Sequence, residues 1–167
     1  MDFFTNYSTK FIALTFAATL LLAGCSNPAS DDDDHDDHTE PHSIEFVLNG
    51  ETVVSFTDGN ISGHFDVAKG DETALITANF YDEDGDEIHG EDLDDEYSLA
   101  WNIGNTDHAD IEQHDEDGRW SFHIVGKQAG ETTVQFLLQH GDDHADFETP
   151  AVDENDAIEI HVTDSSQ

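Results

Sequence analysis

The chain has 167 residues and carries 40 Asp and Glu against 4 Lys and Arg, a formal net charge of −36 at pH 7. Proteins that bind nucleic acid neutralise its phosphates with Lys and Arg, so this composition excludes a nucleic-acid partner. A field of this sign attracts cations and keeps a protein soluble. Two explanations of the acidity stay open: adaptation of the surface to a saline habitat, and a role in binding cations.

The chain begins with the features of an export signal. Lys10 precedes an apolar run, FIALTFAATLLLAG at residues 11–24, which is short for a membrane span. The run and the next residue end in LAGC, which resembles the lipobox of bacterial lipoproteins. This resemblance implies a signal peptide over residues 1–24, cleavage before Cys25 and acylation of its thiol. Cys25 is the only cysteine of the chain, so it has no disulfide partner. The alternative is an ordinary secretory signal with a chance cysteine.

The residues after Cys25 bear on where such an anchor would sit. Ser26 follows it rather than Asp, which under the sorting rule of these lipoproteins implies the outer membrane. The acidic stretch NPASDDDD, residues 27–34, resembles the export signals of surface lipoproteins. We therefore expect a lipid-anchored protein of the cell envelope at the outer membrane, with the periplasmic face and the cell surface both open.

Residues 25–42 are predicted to form a disordered acidic tether. Their second part, SDDDDHDDHTEPH, contains no apolar side chain and so cannot contribute to a core. Three histidines, His35, His38 and His42, lie among its aspartates. A flexible tract of this kind binds divalent metal loosely, because each binding event costs ordering entropy. It is either a metal-collecting tail or a charged spacer.

Residues 43–167 are predicted to form one all-β domain. No stretch has a sustained 3.6-residue periodicity, and short alternating apolar runs are separated by Gly, Asp and Asn. Asn49-Gly50 between two runs is a strong hairpin signal. The runs lie at residues 44–48, 53–55, 64–67, 74–81, 99–103, 120–124, 134–138 and 158–162. Their number and spacing predict an immunoglobulin-like antiparallel β-sandwich of seven to eight strands.

Part of this domain is similar to a known family. The segment WSFHIVGKQAGETTVQF, residues 120–136, resembles the signature of bacterial Ig-like domains, group 2 in particular, in which a strand, a Gly, an Ala-Gly turn and a Thr-rich strand follow in this order. FYDEDG, residues 80–85, resembles an earlier strand and turn of such domains. The resemblance extends from Lys69 to Val162 and implies the sandwich, with Trp101 in its core. It leaves function open, because these modules serve as spacers, adhesin stalks and binding domains.

We expect no enzymatic activity. The chain beyond Cys25 has no G-x-S-x-G, no H-E-x-x-H and no glycine-rich phosphate loop. An acidic run beginning at Asp82 invites a calcium interpretation, but it departs from the EF-hand loop: Glu87 stands where Gly is required, and Leu93 where Glu is required. The run is better interpreted as a hairpin turn.

Histidine is the unusual residue of this chain, with eleven copies. Neutral imidazole beside carboxylate suits zinc, copper or nickel, whereas calcium prefers oxygen alone. The sharpest candidate is HGDDHAD, residues 140–146, predicted in the connection between the last two strands. His140 and His144 lie four residues apart there, and Asp146 follows them. This motif predicts a site for a divalent metal, with Zn²⁺ first.

Loop topology extends the candidate site. In an immunoglobulin sandwich the B–C, D–E and F–G loops gather at one end. If residues 74–81 are strand B and 99–103 strand C, their connection contains His89. If residues 111–113 are strand D, the D–E loop contains His114. The hypothesis is one metal site shared by His89, His114 and the 140–146 motif; the alternative is solvated acidic loops with incidental histidines.

Three other histidines, His64, His123 and His161, alternate with apolar strand residues and are predicted on outer sheet faces, with His123 and His161 as neighbours. The whole pattern predicts an envelope module that binds divalent transition metal and passes it to a transporter or receptor. The alternative is a structural or adhesive Ig-like module with a salt-adapted surface and no specific ligand. Carbohydrate binding ranks last, because Trp101 and Trp120 are expected in the core.

Overall fold

A computed structural model describes residues 41–141 and 144–165. The predicted signal peptide, Cys25 and most of the tether lie outside the described residues, as do Asp142 and Asp143 of the histidine motif. Within the described ranges no helix has the length and hydropathy needed to cross a membrane. The regular structure of these ranges is all β.

Twelve strands are described, most of them with buried and exposed residues in alternation. They are β1 (Ser43–Leu48), β2 (Glu51–Thr57), β3 (Asn60–Gly63), β4 (Phe65–Ala68), β5 (Ile76–Tyr81), β6 (Glu87–Ile88), β7 (Tyr97–Ile103), β8 (Ala109–Glu112), β9 (Ser121–Gly126), β10 (Gly130–His140), β11 (His144–Glu148) and β12 (Ile158–Thr163). Where it occurs, this alternation buries one face of a strand in the core and leaves the other face toward solvent.

The strands form two sheets. The first has the order β3-β2-β1-β5-β9-β8, with β6 beside β5, and the second has the order β11-β10-β12-β4, with β7 beside β10. The long strand β10 organises the second sheet: its first half pairs with β12, its second half with β11, and β7 lies along its other edge. Pairing is antiparallel in every described strand pair except β4 with β12, which is parallel.

Phenylalanine rings fill the space between the sheets. Phe46 of the first sheet lies 4.4 Å from Phe136 of the second and 5.4 Å from Phe65, measured between ring centroids. Phe122 lies 5.1 Å from Phe136. These rings are buried, and pairs at such separations add to the stability that burial itself contributes. The two sheets therefore share one core, as the sandwich prediction requires.

The fold confirms the predicted all-β sandwich and its first hairpin. Asn49 and Gly50 have φ of 55° and 84°, as a two-residue type I′ turn demands. The strands exceed the predicted seven to eight, because β3, β6, β8 and β11 are short and present few apolar residues to an alternation search. Trp101 and Trp120 are partly buried and pack against the core cluster.

Candidate functional site

Three clusters of described residues bring imidazole and carboxylate groups together. The β10–β11 cluster consists of His140, His144 and Asp146. The β8–β9 cluster consists of His114 and Asp117 in the β8–β9 turn, His123 on β9 and Glu72 ahead of β5. The β4–β12 cluster consists of His64, Asp66 and His161.

The β10–β11 cluster lies on a hairpin rather than in a loop, which corrects the sequence prediction. Strand β10 continues to His140 because Tyr97 of β7 pairs with it there, and β11 begins at His144. His140 and His144 are register partners across the hairpin. Residues opposite each other in an antiparallel pair have their Cβ atoms about 4.5–5.5 Å apart, so the two imidazoles meet.

Distances within the β10–β11 cluster suit a small cation. His144 Nε2 lies 2.9 Å from Asp146 Oδ1, and His140 Nδ1 lies 3.3 Å from Asp146 Oδ2. One ligand atom from each of the three residues lies within 4.8 Å of the others. The two ring centroids are 5.3 Å apart; around a tetrahedral zinc with Zn–N bonds of about 2.0–2.1 Å, two imidazole centroids lie about 5.2 Å apart.

Tyr97 holds two members of this cluster in place. Its ring stacks on His140 at a centroid distance of 4.3 Å, and its hydroxyl donates to Asp146 Oδ2 at 2.9 Å. The Asp146 and His140 side chains are only 8% and 15% exposed, whereas that of His144 is 58% exposed. The site is therefore anchored on one side and open to solvent on the other.

The β6–β7 connection brings two more carboxylates to this hairpin. Gly141 N donates to Glu96 O at 2.9 Å, and Glu96 Oε2 lies 3.6 Å from His140 Nε2. Ligand atoms of Asp94 and Glu96 also lie within 4.8 Å of His140. The β10–β11 hairpin therefore contacts the β6–β7 connection, which is part of the B–C loop in the predicted topology. The carboxylates of this loop lie beside His140.

Arg119, in the β8–β9 turn, fixes the β6–β7 connection. Its guanidinium donates to the carbonyl oxygens of Gly90 and Leu93 at 3.1 and 2.7 Å, to Tyr97 O at 3.3 Å, and to Asp94 O. It also lies 4.9 Å from the Trp120 ring, within cation–π range. A rigid planar donor set can serve several carbonyls at once, so one of the four basic residues of the chain is used to hold an acidic loop.

The β8–β9 cluster is joined through one carboxylate. Asp117 Oδ2 accepts from His114 Nδ1 at 2.9 Å and from His114 N at 2.8 Å, and it lies 3.5 Å from His123 Nε2. On its other side His123 Nδ1 donates to Thr73 O at 2.9 Å and lies 3.2 Å from Glu72 Oε1. The His114 and His123 ring centroids are 5.4 Å apart.

The pKa values of two groups in this cluster are shifted in opposite directions. The backbone hydrogen bond from His114 is the main cause that lowers the pKa of Asp117 below its usual value, and the nearby imidazoles add to it. Burial alone would lower the pKa of His123, but the hydrogen bond to Thr73 O and the charges of Glu72 and Asp117 outweigh burial and raise that pKa. His123 and Asp117 therefore favour a charged pair in the metal-free protein.

The β4–β12 cluster has a different geometry. The His64 and His161 rings stack at a centroid distance of 4.1 Å and an interplanar angle of 27°. That separation is shorter than the roughly 5.2 Å of two imidazoles around one tetrahedral ion. Each ring has its own carboxylate: Asp66 lies 3.3 Å from His64, and Glu159 lies 3.1 Å from His161. This arrangement is a stacked surface pair rather than a pair arranged around an ion.

The structure divides the predicted ligands. It brings His140, His144 and Asp146 together, while His114 belongs to the β8–β9 cluster. His89 belongs to none of the candidate metal groups found among the described residues, and its ion-pair partner is Glu87 at 3.8 Å. A single site shared by all four histidines stays a prediction.

The predicted pairing of His123 with His161 is wrong: His123 lies beside His114, and His161 stacks on His64. Parallel pairing of β4 with β12 brings His64 to His161, and sequence alternation alone does not reveal a strand partner. Sequence reasoning also missed Glu96, Tyr97 and Asp117. An HxxD spacing, as between His114 and Asp117, is a local signal that could have found the last of these.

Comparison with known proteins leaves the family open. No family model and no curated protein matches the chain. Among solved structures, the chain is similar to the S-layer protein SbsC domains 4 and 5, with a TM-score of 0.40 and 16% identity over 61% of this chain and 48% of that one. It is also similar to surface layer protein SbsC, domains 1–6, with a TM-score of 0.41 and 16% identity over 64% of this chain and 12% of that one. This chain spans less than half the length of either, and likeness at this level does not bear on function.

Proposed function

We propose that this protein binds one divalent transition metal ion, zinc first, at the β10–β11 cluster. The observation that carries the proposal is the convergence of His140, His144 and Asp146, whose ligand atoms lie within 4.8 Å of one another. Two imidazoles and one carboxylate are a recurring zinc ligand set in sites with three protein ligands. The fourth position would be filled by water, because Glu96 lies beside Nε2 of His140, whereas Asp146 lies beside Nδ1 of that ring.

The chemistry of the donor atoms favours a transition metal over calcium. Calcium takes six to eight oxygen ligands, and an imidazole nitrogen is a poor substitute for one of them. Zinc, copper and nickel accept imidazole readily. Tyr97 supports the site in the way that metal sites usually need, because its hydroxyl donates to Asp146 and orients a ligand that it does not replace.

Openness of the site supports exchange rather than permanent retention. The His144 side chain is exposed, and the acidic surface of a chain with a net charge of −36 concentrates cations near it. The role that follows is to buffer metal in the cell envelope or to pass it to a transporter or receptor there. The His/Asp tether would collect metal loosely on the same chain.

Lipid attachment at Cys25 is part of the proposal. The LAGC sequence at residues 22–25 supports it, and an acyl anchor would place metal binding at the outer membrane. Metabolic labelling with an alkyne fatty acid, followed by density fractionation of the membranes, tests this. We expect label on the natural chain in the outer-membrane fraction and none on Cys25→Ser. An unlabelled natural chain would contradict the anchor.

Calorimetric titration with Zn²⁺ tests metal binding. All arms use the full chain in detergent with His35, His38 and His42 replaced by Ala, so that tether binding does not contribute. We expect His140→Ala/His144→Ala to lose one equivalent of zinc. The matched control is His64→Ala/His161→Ala, which removes two histidines from the stacked pair and should keep that equivalent. Equal titration curves for the two double variants would contradict the site.

The second candidate is a structural or adhesive module with a salt-adapted surface and no specific ligand. The observation that favours it is the excess of 40 acidic over 4 basic residues, whose mutual repulsion needs screening. Urea unfolding in 0.05 M and 1 M KCl, with EDTA present, tests this account of the charge. A large gain of stability with monovalent salt, together with no saturable zinc binding, would favour this function over metal binding.

A further inference from the structure

The β8–β9 cluster shares no residue with the β10–β11 cluster and has no part in the function proposed above. Its members come from three places: the turn after β8, strand β9 and the segment ahead of β5. Ligand atoms of Glu72, His114 and His123 lie within 4.8 Å of one another. The side chains of Asp117 and His123, its central pair, are 10% and 16% exposed.

Two contacts of Asp117 in the β8–β9 cluster have lengths close to those between ligand atoms of a tetrahedral metal centre. Asp117 Oδ2 lies 2.9 Å from His114 Nδ1 and 3.5 Å from His123 Nε2, while adjacent ligand atoms around a tetrahedral zinc are about 3.3 Å apart. The two ring centroids, 5.4 Å apart, are close to the roughly 5.2 Å expected for imidazoles on one ion. The stacked rings of the β4–β12 cluster fail the same comparison.

The ligands are also oriented by their surroundings. His123 Nδ1 donates to Thr73 O, which fixes the tautomer and leaves Nε2 directed at Asp117. A ligating histidine usually donates its other ring nitrogen to a carbonyl or carboxylate in this way. Asp117 is held by the backbone N–H of His114 at 2.8 Å. The exposed Glu72 carboxylate, which lies 3.2 Å from Nδ1 of His123, would have to turn toward Nε2 to join these ligands.

We propose that the β8–β9 cluster is a second transition-metal site, with His114, Asp117 and His123 as ligands and Glu72 completing the set. The ion would take the place of the hydrogen bonds by which Asp117 joins the two rings, so its uptake releases protons. The chemical class is a zinc-like divalent ion, on the same donor grounds of imidazole with carboxylate.

A structural role follows from where this site lies. The pairing of β5 with β9 extends over two residue pairs, and an isolated bridge joins Glu72 to Val125 beyond it. An ion held by Glu72 on one side and by His114 and His123 on the other would fasten this short seam. Binding to the folded state alone would stabilise the fold in proportion to the logarithm of metal concentration.

Cobalt titration of the full chain tests the second site, because tetrahedral Co²⁺ absorbs visible light strongly. The background again has His35, His38 and His42 replaced by Ala. We expect two equivalents of tetrahedral Co²⁺ in that background, one in His114→Ala, one in His140→Ala/His144→Ala, and none in the triple combination. His114 is in an exposed turn, so its replacement should leave the fold intact, and His89→Ala serves as the matched exposed control.

Failure of this inference is distinguishable from failure of the proposed function. One equivalent that disappears in His140→Ala/His144→Ala and survives in His114→Ala would overturn the second site alone. One equivalent with the reverse dependence would overturn the first site alone. Thermal unfolding adds a readout of the structural role: Zn²⁺ should raise the Tm of His140→Ala/His144→Ala, and an unchanged Tm there would overturn that role.

Discussion

The β10–β11 and β8–β9 clusters contain nearly the same groups in different settings. Each pairs two imidazoles, with ring centroids 5.3 and 5.4 Å apart, around a largely buried aspartate. In the β10–β11 cluster a tyrosine orients the aspartate and one histidine faces solvent. In the β8–β9 cluster backbone groups orient both the aspartate and a histidine. If both proposals hold, the same ligand set serves exchange in one place and structure in the other.

Loss of Arg119 should have the largest effect on stability. Arg119 lies in the β8–β9 turn and holds the β6–β7 connection, which contacts the β10–β11 cluster. Arg119→Ala leaves the carbonyls of Gly90 and Leu93 without their charged donor. Hydrogen bonds to charged groups contribute about 1.5–3 kcal/mol each, so we expect the free energy of unfolding to fall by about 3 kcal/mol. Urea unfolding with EDTA present measures it.

Lys127→Ala is the matched control, because it removes the same charge from the same acidic chain. Lys127 Nζ lies 2.6 Å from Asp110 Oδ2 in an exposed ion pair, and such pairs contribute about 0–1 kcal/mol. Equal losses for the two variants would show that Arg119 acts through net charge rather than through its carbonyl contacts.

Tyr97→Phe should have the next largest effect, and it should lower metal affinity at the β10–β11 cluster alone. It removes the hydroxyl that orients Asp146 and keeps the ring that stacks on His140. Changes to groups that orient a ligand typically lower metal affinity by about 10–100-fold. We expect a loss of that size for one of two zinc equivalents, measured by competition with a chromophoric chelator. An equal loss at both equivalents would contradict independent sites.

The pH dependence of stability should single out the β8–β9 cluster. The pKa of His123 is raised above its usual 6.5, so its contribution is fully present below that pH and is lost as pH rises through the folded pKa. The pKa of Asp117 is lowered below its usual 3.8, so its contribution is present above that value and is lost as pH falls through the folded pKa. The pair therefore stabilises most between these two values.

His123→Gln tests this pH window in metal-free protein. We expect its deficit in urea midpoint, relative to the natural chain, to be largest near pH 5–6 and to shrink above pH 8. His161→Gln, on the stacked pair of the other sheet, is the control. A deficit that is constant from pH 5 to pH 9 would mean that His123 contributes by packing and not by charge.

The smallest effect is expected at His89. Its side chain is exposed and its ion-pair partner Glu87 is 3.8 Å away, and substitutions of this kind usually change stability by less than about 0.5 kcal/mol. His89→Ala should leave both metal equivalents in place in a zinc titration. Loss of one equivalent would restore the four-histidine site that loop topology predicts.

Much of the fold could be predicted from the alternation of apolar residues in the sequence. Phe46, Phe122 and Phe136 lie in alternating runs, and all three are buried in the shared core. The turn at Asn49-Gly50 could be predicted because type I′ geometry favours that pair. Strand β3 was missed although Asp58-Gly59 is a similar signal, with φ of 53° and 76°. Its four residues present no buried position to an alternation search.

The candidate site could be predicted from the sequence only where its ligands are close together along the chain. His140 and His144 are four residues apart, and a hairpin makes them register partners. Tyr97 reaches Asp146 through the pairing of β7 with β10, and Thr73 reaches His123 across the β5–β9 seam. Such partners depend on strand order, which residue spacing does not encode. His89 directly follows Ile88, the last residue of β6. The Ile88 side chain is buried, and because successive side chains point to opposite faces of a strand, that of His89 is exposed.

Anomalous diffraction at the zinc edge, from crystals of the protein grown with Zn²⁺, locates the bound ion itself. We expect an anomalous peak at about 2.0–2.2 Å from the ligand atoms of His140, His144 and Asp146. The same peak should be missing from crystals of His140→Ala/His144→Ala. Zinc-saturated crystals with no anomalous density at the β10–β11 cluster would show that these three residues do not bind the ion.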